Sequence, residues 1–210
     1  MSSPLVSASP IEAVVFDVGK VLFEWDLRHL FGKLIDDPDA LERFVTTVVT
    51  PEWHYQHDMG RMLAETIPER VAEFPQHEAL IRAFAERFGE TIPGPVPGSH
   101  ELVEALHARR VPLYAITNFS ADFWPPFRAE QPIFDLFEDI VVSGDEKLWK
   151  PGPEIYTLAA RRFGHAPGAM LFIDDNADNV AGARACGWQA HHFVDSATLA
   201  ADLRARGLIA

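Results

Sequence analysis

Glu12-Ala13-Val14-Val15-Phe16-Asp17-Val18-Gly19-Lys20-Val21-Leu22 decides the architecture of this chain. Ala13 to Phe16 are apolar without interruption, whereas a strand with one wet face would alternate with polar residues. An unbroken apolar run suits a parallel strand covered on both faces. Similar runs recur at Val111–Thr117, Asp139–Ser143, Ala169–Asp174 and Trp188–Val194. Helical patterns separate most of them, at Glu101–Arg110, Glu154–Phe163 and Asn176–Cys186, the last with Gly187 as its C-terminal cap. This alternation predicts an α/β fold, a doubly wound parallel sheet.

Between residues 26 and 91 the alternation stops. Ala40–Val49, Ala64–Phe74 and Glu78–Phe88 read as helices, and no convincing strand lies among them. The stretch Ile92-Pro93-Gly94-Pro95-Val96-Pro97-Gly98 then reads as a stiff linker. The expected organisation is a core domain of residues 1–25 and 92–210, with a helical cap at 26–91. Ligands of open α/β sheets bind beyond the carboxyl ends of the strands, where such a cap would hang.

Composition narrows the partners. Lys and Arg total 18 against 31 Asp and Glu, a net charge of −13. That charge repels phosphate backbones and anionic lipid, so neither nucleic acid nor membrane is an expected partner. A small anionic substrate would need a local positive site. With Cys186 the single cysteine, no intrachain disulfide can form, and a cytoplasmic location fits. Cys186 itself reads as a small buried hydrophobe. Met1–Pro10 reads as a loose tail and not a signal peptide. No run approaches the length that spans a bilayer.

Chemistry-bearing residues gather where strands end. The first strand ends in Asp17, the second in Thr117-Asn118, and the fourth in Asp174-Asp175-Asn176. Leu148-Trp149-Lys150-Pro151 lies just before a helix. In a parallel sheet these strand ends converge on one edge. Three carboxylates that close repel unless a cation joins them, and hard oxygen donors without thiolates suit Mg²⁺.

In this order and spacing the four motifs resemble those of the haloacid dehalogenase-like hydrolases, over roughly Ile11 to the C-terminus. Phe16-Asp17-Val18-Gly19 and Phe172-Ile173-Asp174-Asp175-Asn176-Ala177-Asp178-Asn179 look most like the bacterial subgroup containing sugar-1-phosphate phosphatases. The resemblance implies a Rossmann-like core and a Mg²⁺-dependent phosphatase of small phosphorylated metabolites. It makes Asp17 the nucleophile that forms an aspartyl-phosphate, and Lys150 the neutralising lysine. It also implies metal ligation by Asp17, the Gly19 carbonyl, Asp174 and Asp175, and phosphate binding by Thr117 and Asn118.

One position departs from that pattern. Phosphatases of the family usually carry a second Asp two residues after the nucleophile, as general acid and base; here it is Gly19. Dehalogenases of the family also lack it, so a 2-haloacid dehalogenase using Asp17 is the alternative enzyme, and a non-catalytic binding module the alternative from another class. The dehalogenases generally lack an acidic pair such as Asp174-Asp175, which favours the phosphatase. Without a proton donor at Gly19, a preference for acidic leaving groups is expected. In the cap, Glu52-Trp53-His54-Tyr55-Gln56-His57-Asp58 puts His54, His57 and Asp58 on one helix face. His54 or His57 is expected to face the cleft and contact substrate; a zinc site there would need further ligands. Phe119, Phe123 and Trp124 are candidates for the cleft wall or for ordinary packing. His191 and His192 alternate sides of a strand and should not share an ion.

Overall fold

A computed structural model of the protein describes residues 10–210. The expected tail therefore lies, apart from Pro10, outside the described residues. Five strands, β1 (Ala13–Phe16), β2 (Leu113–Thr117), β3 (Asp139–Val142), β4 (Met170–Asp174) and β5 (Gln189–His192), form one parallel sheet in the order β3-β2-β1-β4-β5. The doubly wound α/β fold read from the sequence is the fold observed. The order puts β1 in the centre, with β2 on one side and β4 on the other, so the three chemically marked strand ends are neighbours.

The uninterrupted apolar runs have the reason anticipated for them. Alternate residues point to opposite faces. Val14, Phe16, Leu113, Ala115, Leu171 and Ile173 enter one core, while Ala13, Val15, Tyr114, Ile116, Met170 and Phe172 enter a second. Both faces are dry. The strands therefore have no polar side to show until they run out.

Five helices lie between β1 and the linker: α1 (Leu27–Phe31), α2 (Pro38–Thr47), α3 (Pro51–Asp58), α4 (Leu63–Glu73) and α5 (Glu78–Arg87). Their starts are set locally. Asp26, Asp37 and Thr50 accept hydrogen bonds from backbone N–H groups of the first turns, and Pro38 and Pro51 occupy positions where no N–H is needed. The chain leaves and re-enters the sheet along two paired segments. Glu24 N–H donates to Gly94 O at 2.9 Å, and Val96 N–H to Leu22 O at 3.0 Å. The Pro- and Gly-rich linker is thus laced to the segment after β1. The remaining helices are α6 (Ser99–Ala108), α7 (Trp124–Ala129), α8 (Ser143–Glu146), α9 (Pro153–Phe163), α10 (Ala177–Ala185) and α11 (Ser196–Ala205). Gly187, at φ +84°, follows α10 as the left-handed cap residue. Cys186 is half-buried, not fully buried as expected, because it sits on the last exposed turn of α10. Among the described residues no helix is long and apolar enough to cross a membrane.

One close approach fixes the site's floor. A Cβ added at Gly144, in α8, would lie 2.4 Å from Ala121 N and 2.7 Å from Phe119 O, both backbone atoms that cannot swing away. Glycine is what lets α8 press against the loop leaving β2. Gly144→Ala should therefore destabilise the protein by about 1–3 kcal/mol, the usual cost of overpacking. Gly89→Ala, where nothing lies within 4 Å of the added atom, should stay within about 0.5 kcal/mol of the parent. Urea unfolding of both variants makes the comparison, and equal midpoints would show that the α8 contact yields freely.

Candidate active site

Asp17 directly follows β1 and Asp174 ends β4, and the ladder makes them adjacent: Asp17 N–H donates to Ile173 O at 2.8 Å. Between the two carboxylates stands Lys150. Its Nζ lies 2.8 Å from Asp17 Oδ1 and 2.7 Å from Asp174 Oδ2, and all three residues are buried. Asp17, Asp174 and Asp175 each offer an oxygen within 4.8 Å of the others. Three carboxylates against one ammonium leave an excess of negative charge in a poorly solvated place. Such a set is matched to a cation.

The charges read accordingly. Burial pushes the Asp17 carboxyl well above its usual range, opposed by the Lys150 ammonium and reinforced by Asp174. Burial would lower Lys150, but Asp17 and Asp174 outweigh it and hold the ammonium above its ordinary value. Asp175 is also raised, by burial first and by Asp174 second. A divalent cation would favour the ionised form of all three carboxyls.

Each member is held by partners of its own. Asn118 grips the main chain of Lys150 twice, accepting from Lys150 N–H at 2.9 Å and donating to Lys150 O at 3.0 Å. Its side chain is therefore spent on positioning Lys150, which leaves only main-chain groups of Asn118 for a phosphoryl oxygen. Asn179, one turn into α10, donates to both oxygens of Asp174 at 3.1 Å, and Asn176 N–H donates to Asp174 Oδ1 at 2.8 Å. Thr117 Oγ1 is buried without a hydrogen-bond partner. A buried hydroxyl left unpaired costs about 1–3 kcal/mol, and this one ends the strand paired with β1, although Thr117 is not among the residues lining the cleft.

A cleft of about 560 Å³ opens over these groups and includes Asp17, Gly19, Asn118, Lys150 and Asp175 in its lining. Its upper wall is aromatic, from Phe23, Trp25, Tyr55, Phe88, Phe119 and Trp149. Of the candidates after β2, Phe119 lines the cleft, while Phe123 and Trp124 pack into the core. His54 reaches the cleft, sandwiched between Trp25 and Phe88 at ring distances of 5.0 and 5.6 Å.

His57 does not line the cleft, contrary to its place among the expected substrate-binding residues. It is fully buried, with Nδ1 3.0 Å from His54 O and Nε2 2.7 Å from Thr66 Oγ1. Both nitrogens are used inside the helical layer, so His57 has none left for a metal or a substrate. His191 and His192 part company as expected, Nδ1 of one 2.9 Å from Asp202 Oδ2 and Nε2 of the other 2.8 Å from Asp175 O. Sequence reasoning did not single out Asn179 or Ser143, and it gave Asp58 no role of its own. Asn179 carried a readable signal, one helical turn beyond an acidic pair; the others did not.

The chain belongs to the haloacid dehalogenase-like hydrolase family, whose profile matches residues 11–187, and it is a hydrolase. A sesquiterpene phosphatase of Aspergillus oryzae is 27% identical over 201 residues, covering 92% of this chain and 95% of that one. A family enzyme of Bacteroides thetaiotaomicron, solved with magnesium and inorganic phosphate, superposes with a TM-score of 0.67 at 21% identity, over 88% of this chain and 95% of that one. An L-2-haloacid dehalogenase of Xanthobacter autotrophicus, with chloropropionic acid covalently bound, gives 0.61 at 19% identity, over 95% and 84%. At such identities the two structural likenesses concern the fold.

The buried groups on α3 make stability depend on pH. Burial pushes the Asp58 carboxyl from 3.8 up to about 8, with Lys150 opposing. Between those values the native state holds a proton the unfolded chain has lost, so stability falls as pH rises. His54 and His57 are lowered from 6.5 to about 3 and about 4 by burial, and act oppositely: stability is lost as pH falls below 6.5. From pH 6.5 to 8 only Asp58 of the three still contributes, and the loss is about 2 kcal/mol. Asp17 and Asp175, raised as well, add declines of their own, so urea unfolding in EDTA should show a steeper decline in the parent than in Asp58→Asn, which keeps the shape without the charge. Parallel declines would mean that Asp58 is already ionised at pH 6.5.

Proposed function

We propose that the hydrolase is a Mg²⁺-dependent phosphatase of small phosphate esters that works through an aspartyl-phosphate on Asp17. The observation that carries this reading is the pairing of Lys150 with two of three clustered carboxylates, with an unpaired Thr117 hydroxyl ending the neighbouring strand. The donors are all hard oxygens, which suits Mg²⁺. Asp17, Asp174, Asp175 and the Gly19 carbonyl would hold it, and when bound it would neutralise charge on the phosphoryl oxygens.

The remaining work falls to the chain itself. Asp17 Oδ2 is free of the contacts to Val18 N–H and Lys150 that engage Oδ1, so one oxygen is steadied while the other attacks. Lys150 sits where negative charge accumulates as the phosphoryl group passes to Asp17, and preorganised charge of this kind is the main contribution a protein makes to phosphoryl transfer. Thr117 Oγ1 supplies a hydrogen bond to a non-bridging oxygen. The sesquiterpene phosphatase and the magnesium–phosphate complex among the similar proteins support the same reading.

The aromatic upper wall bears on the leaving group. Sugar 1-phosphates are the substrates that the sequence resemblance implies, and their hydroxyls would meet these rings as well as Lys20, Glu24 and Glu52, which also line the cleft. We infer that leaving groups with a broad apolar face bind better, since apolar contact contributes about 25 cal/mol per Å² buried. Gly19 and the likeness to a dehalogenase favour the alternative enzyme. Asp174 and Asp175 favour the phosphatase, because an acidic pair clustered with Asp17 calls for a cation, which the haloacid reaction does not need. The reading includes a cytoplasmic location, in keeping with the single thiol.

Phosphate release and halide release, from a panel of esters and from 2-chloropropionate, are the deciding assays. Phosphate release should stop in EDTA and return with Mg²⁺; halide release untouched by chelator would establish the dehalogenase instead. Asp17→Asn should abolish turnover with the fold intact. Lys150→Ala should lose roughly 10²–10³-fold in rate, with Lys150→Arg rescuing little, since a planar fork does not replace a compact ammonium. Lys150→Ala within a few-fold of the parent would remove the lysine from the mechanism.

A further inference from the structure

Gly19 leaves the site without the carboxylic acid that would protonate a departing alkoxide, and nothing lies within 4 Å of where its side chain would start. The structure assigns that task to Asp58, at the end of α3: it gives a proton to the leaving oxygen and then takes one from the attacking water. This inference rests on the phosphatase reading and adds a catalytic residue to it.

The geometry is what carries it. Asp58 lines the same cleft as Asp17 and Lys150, yet it is only 4% exposed. Its Oδ1 is buried with no hydrogen-bond partner, and its Oδ2 stands 3.6 Å from His54 Nε2, beyond hydrogen-bonding distance. A carboxyl buried in the wall of the cleft that holds Asp17, and left unpaired, needs an explanation, and a substrate oxygen supplies one. The main chain of Asp58 is fixed to the phosphate-binding floor. Ser143 Oγ donates to Asp58 O at 2.6 Å and accepts from Phe119 N–H at 3.0 Å, two residues beyond Thr117. Just past α3, Gly60 turns at φ +92° with Gly144 O only 3.2 Å from where a Cβ would stand. The helix end therefore cannot move independently of α8.

Protonation agrees with the role. Burial keeps the Asp58 carboxyl protonated up to about pH 8, against the pull of Lys150. The neighbouring ionisable and charged groups are His54 and Tyr55 on its own helix, Lys150 across the cleft and Lys147 at the end of α8, beside Gly60. His54 is held neutral near pH 7 by burial and has no proton to give as an imidazolium. Lys150 is committed to two carboxylates.

The steps balance. Asp17 forms a bond to phosphorus as the ester P–O bond breaks, and the leaving oxygen takes the Asp58 proton, giving the free alcohol and an Asp58 carboxylate. Water then attacks the phosphorus of the aspartyl-phosphate, passing a proton to Asp58 as the bond to Asp17 Oδ breaks. Phosphate leaves and both aspartates are restored. The preference for acidic leaving groups expected from Gly19 alone is replaced by a weak dependence on leaving-group acidity.

The test is single-turnover cleavage of a graded series, from p-nitrophenyl phosphate to simple alkyl phosphates, by the Mg²⁺-loaded parent and Asp58→Asn. The parent should show a shallow dependence, and its alkyl-ester rate should fall as pH rises through about 8. Asp58→Asn should lose roughly 10²–10⁴-fold on alkyl esters, the usual worth of general acid catalysis. It should stay within a few-fold on the aryl ester and, with that ester then supplied in excess over enzyme, release a burst of p-nitrophenol before slow turnover. Its alkaline limb should disappear. Equal losses on every ester would make Asp58 a structural residue and overturn the proposal. A steep dependence in the parent would overturn it too, with no variant needed should Asp58→Asn fold poorly. Failure of the phosphatase reading looks different: the parent would release phosphate from no ester at all.

Discussion

The ammonium of Lys150, 2.8 Å from Asp17 and 2.7 Å from Asp174, is the contact on which the rest of the site depends. Burying a charge costs several kcal/mol unless partners repay it, and breaking such a pair leaves the survivor stranded. Here one cation holds together two strand ends that would otherwise repel. The surrounding chain is shaped to keep that cation in place. Asn118 clamps the Lys150 main chain on both sides. Gly182 lets α10 come close to the next residue, for a Cβ there would stand 2.7 Å from Pro151 O. Asn179 and Asn176 hold Asp174 from the α10 side, and Tyr156 of α9 ties down the Asn179 carbonyl at 2.8 Å. The negative charge left over by this arrangement is what gives a divalent cation a reason to bind.

The inserted helices complete the site from above, and they are not loosely attached. Leu63 N–H, at the start of α4, donates to Asp122 Oδ2 at 2.8 Å, and Ser143 joins α3 to the residue after Asn118. These links run from a helix layer with its own apolar contacts to the loop that leaves β2. They add Tyr55, Phe88 and the buried Asp58 carboxyl to a cleft whose other aromatic residues, Phe23, Trp25, Phe119 and Trp149, come from the rest of the chain. In the proposed reaction the floor takes the phosphoryl group, while the wall meets whatever is attached to it. One fold can host different chemistries when the groups over its floor vary.

Much of this was legible in the chain. Buried parallel strands advertise themselves as unbroken apolar runs, and the residues that end them stand out because they break the pattern. Asp17, Thr117 and Asp174 were visible for that reason. His57 and Asp58 were not, because a helix face says which residues share a side but not what that side meets. Three positions from His54, His57 turns into the helical layer and bonds Thr66, nine residues on. Four positions from His54, Asp58 emerges at the cleft. Asn118 shows the same limit: its place in the motif was readable, but its grip on a main chain 32 residues away was not. Ser143 and Gly144 act through backbone contacts that no local pattern announces.

The most direct test is to look for the phosphoryl group on the nucleophile itself. The Mg²⁺-loaded enzyme would be mixed with a substrate ester, quenched in acid within one turnover and reduced with borohydride, which converts an aspartyl-phosphate to homoserine. Peptide mass spectrometry should then find homoserine in place of Asp17, and no such change at Asp174, Asp175 or Asp58. Phosphate released at full rate with Asp17 unmodified throughout the first turnover would contradict covalent catalysis, and would leave direct attack by water as the mechanism.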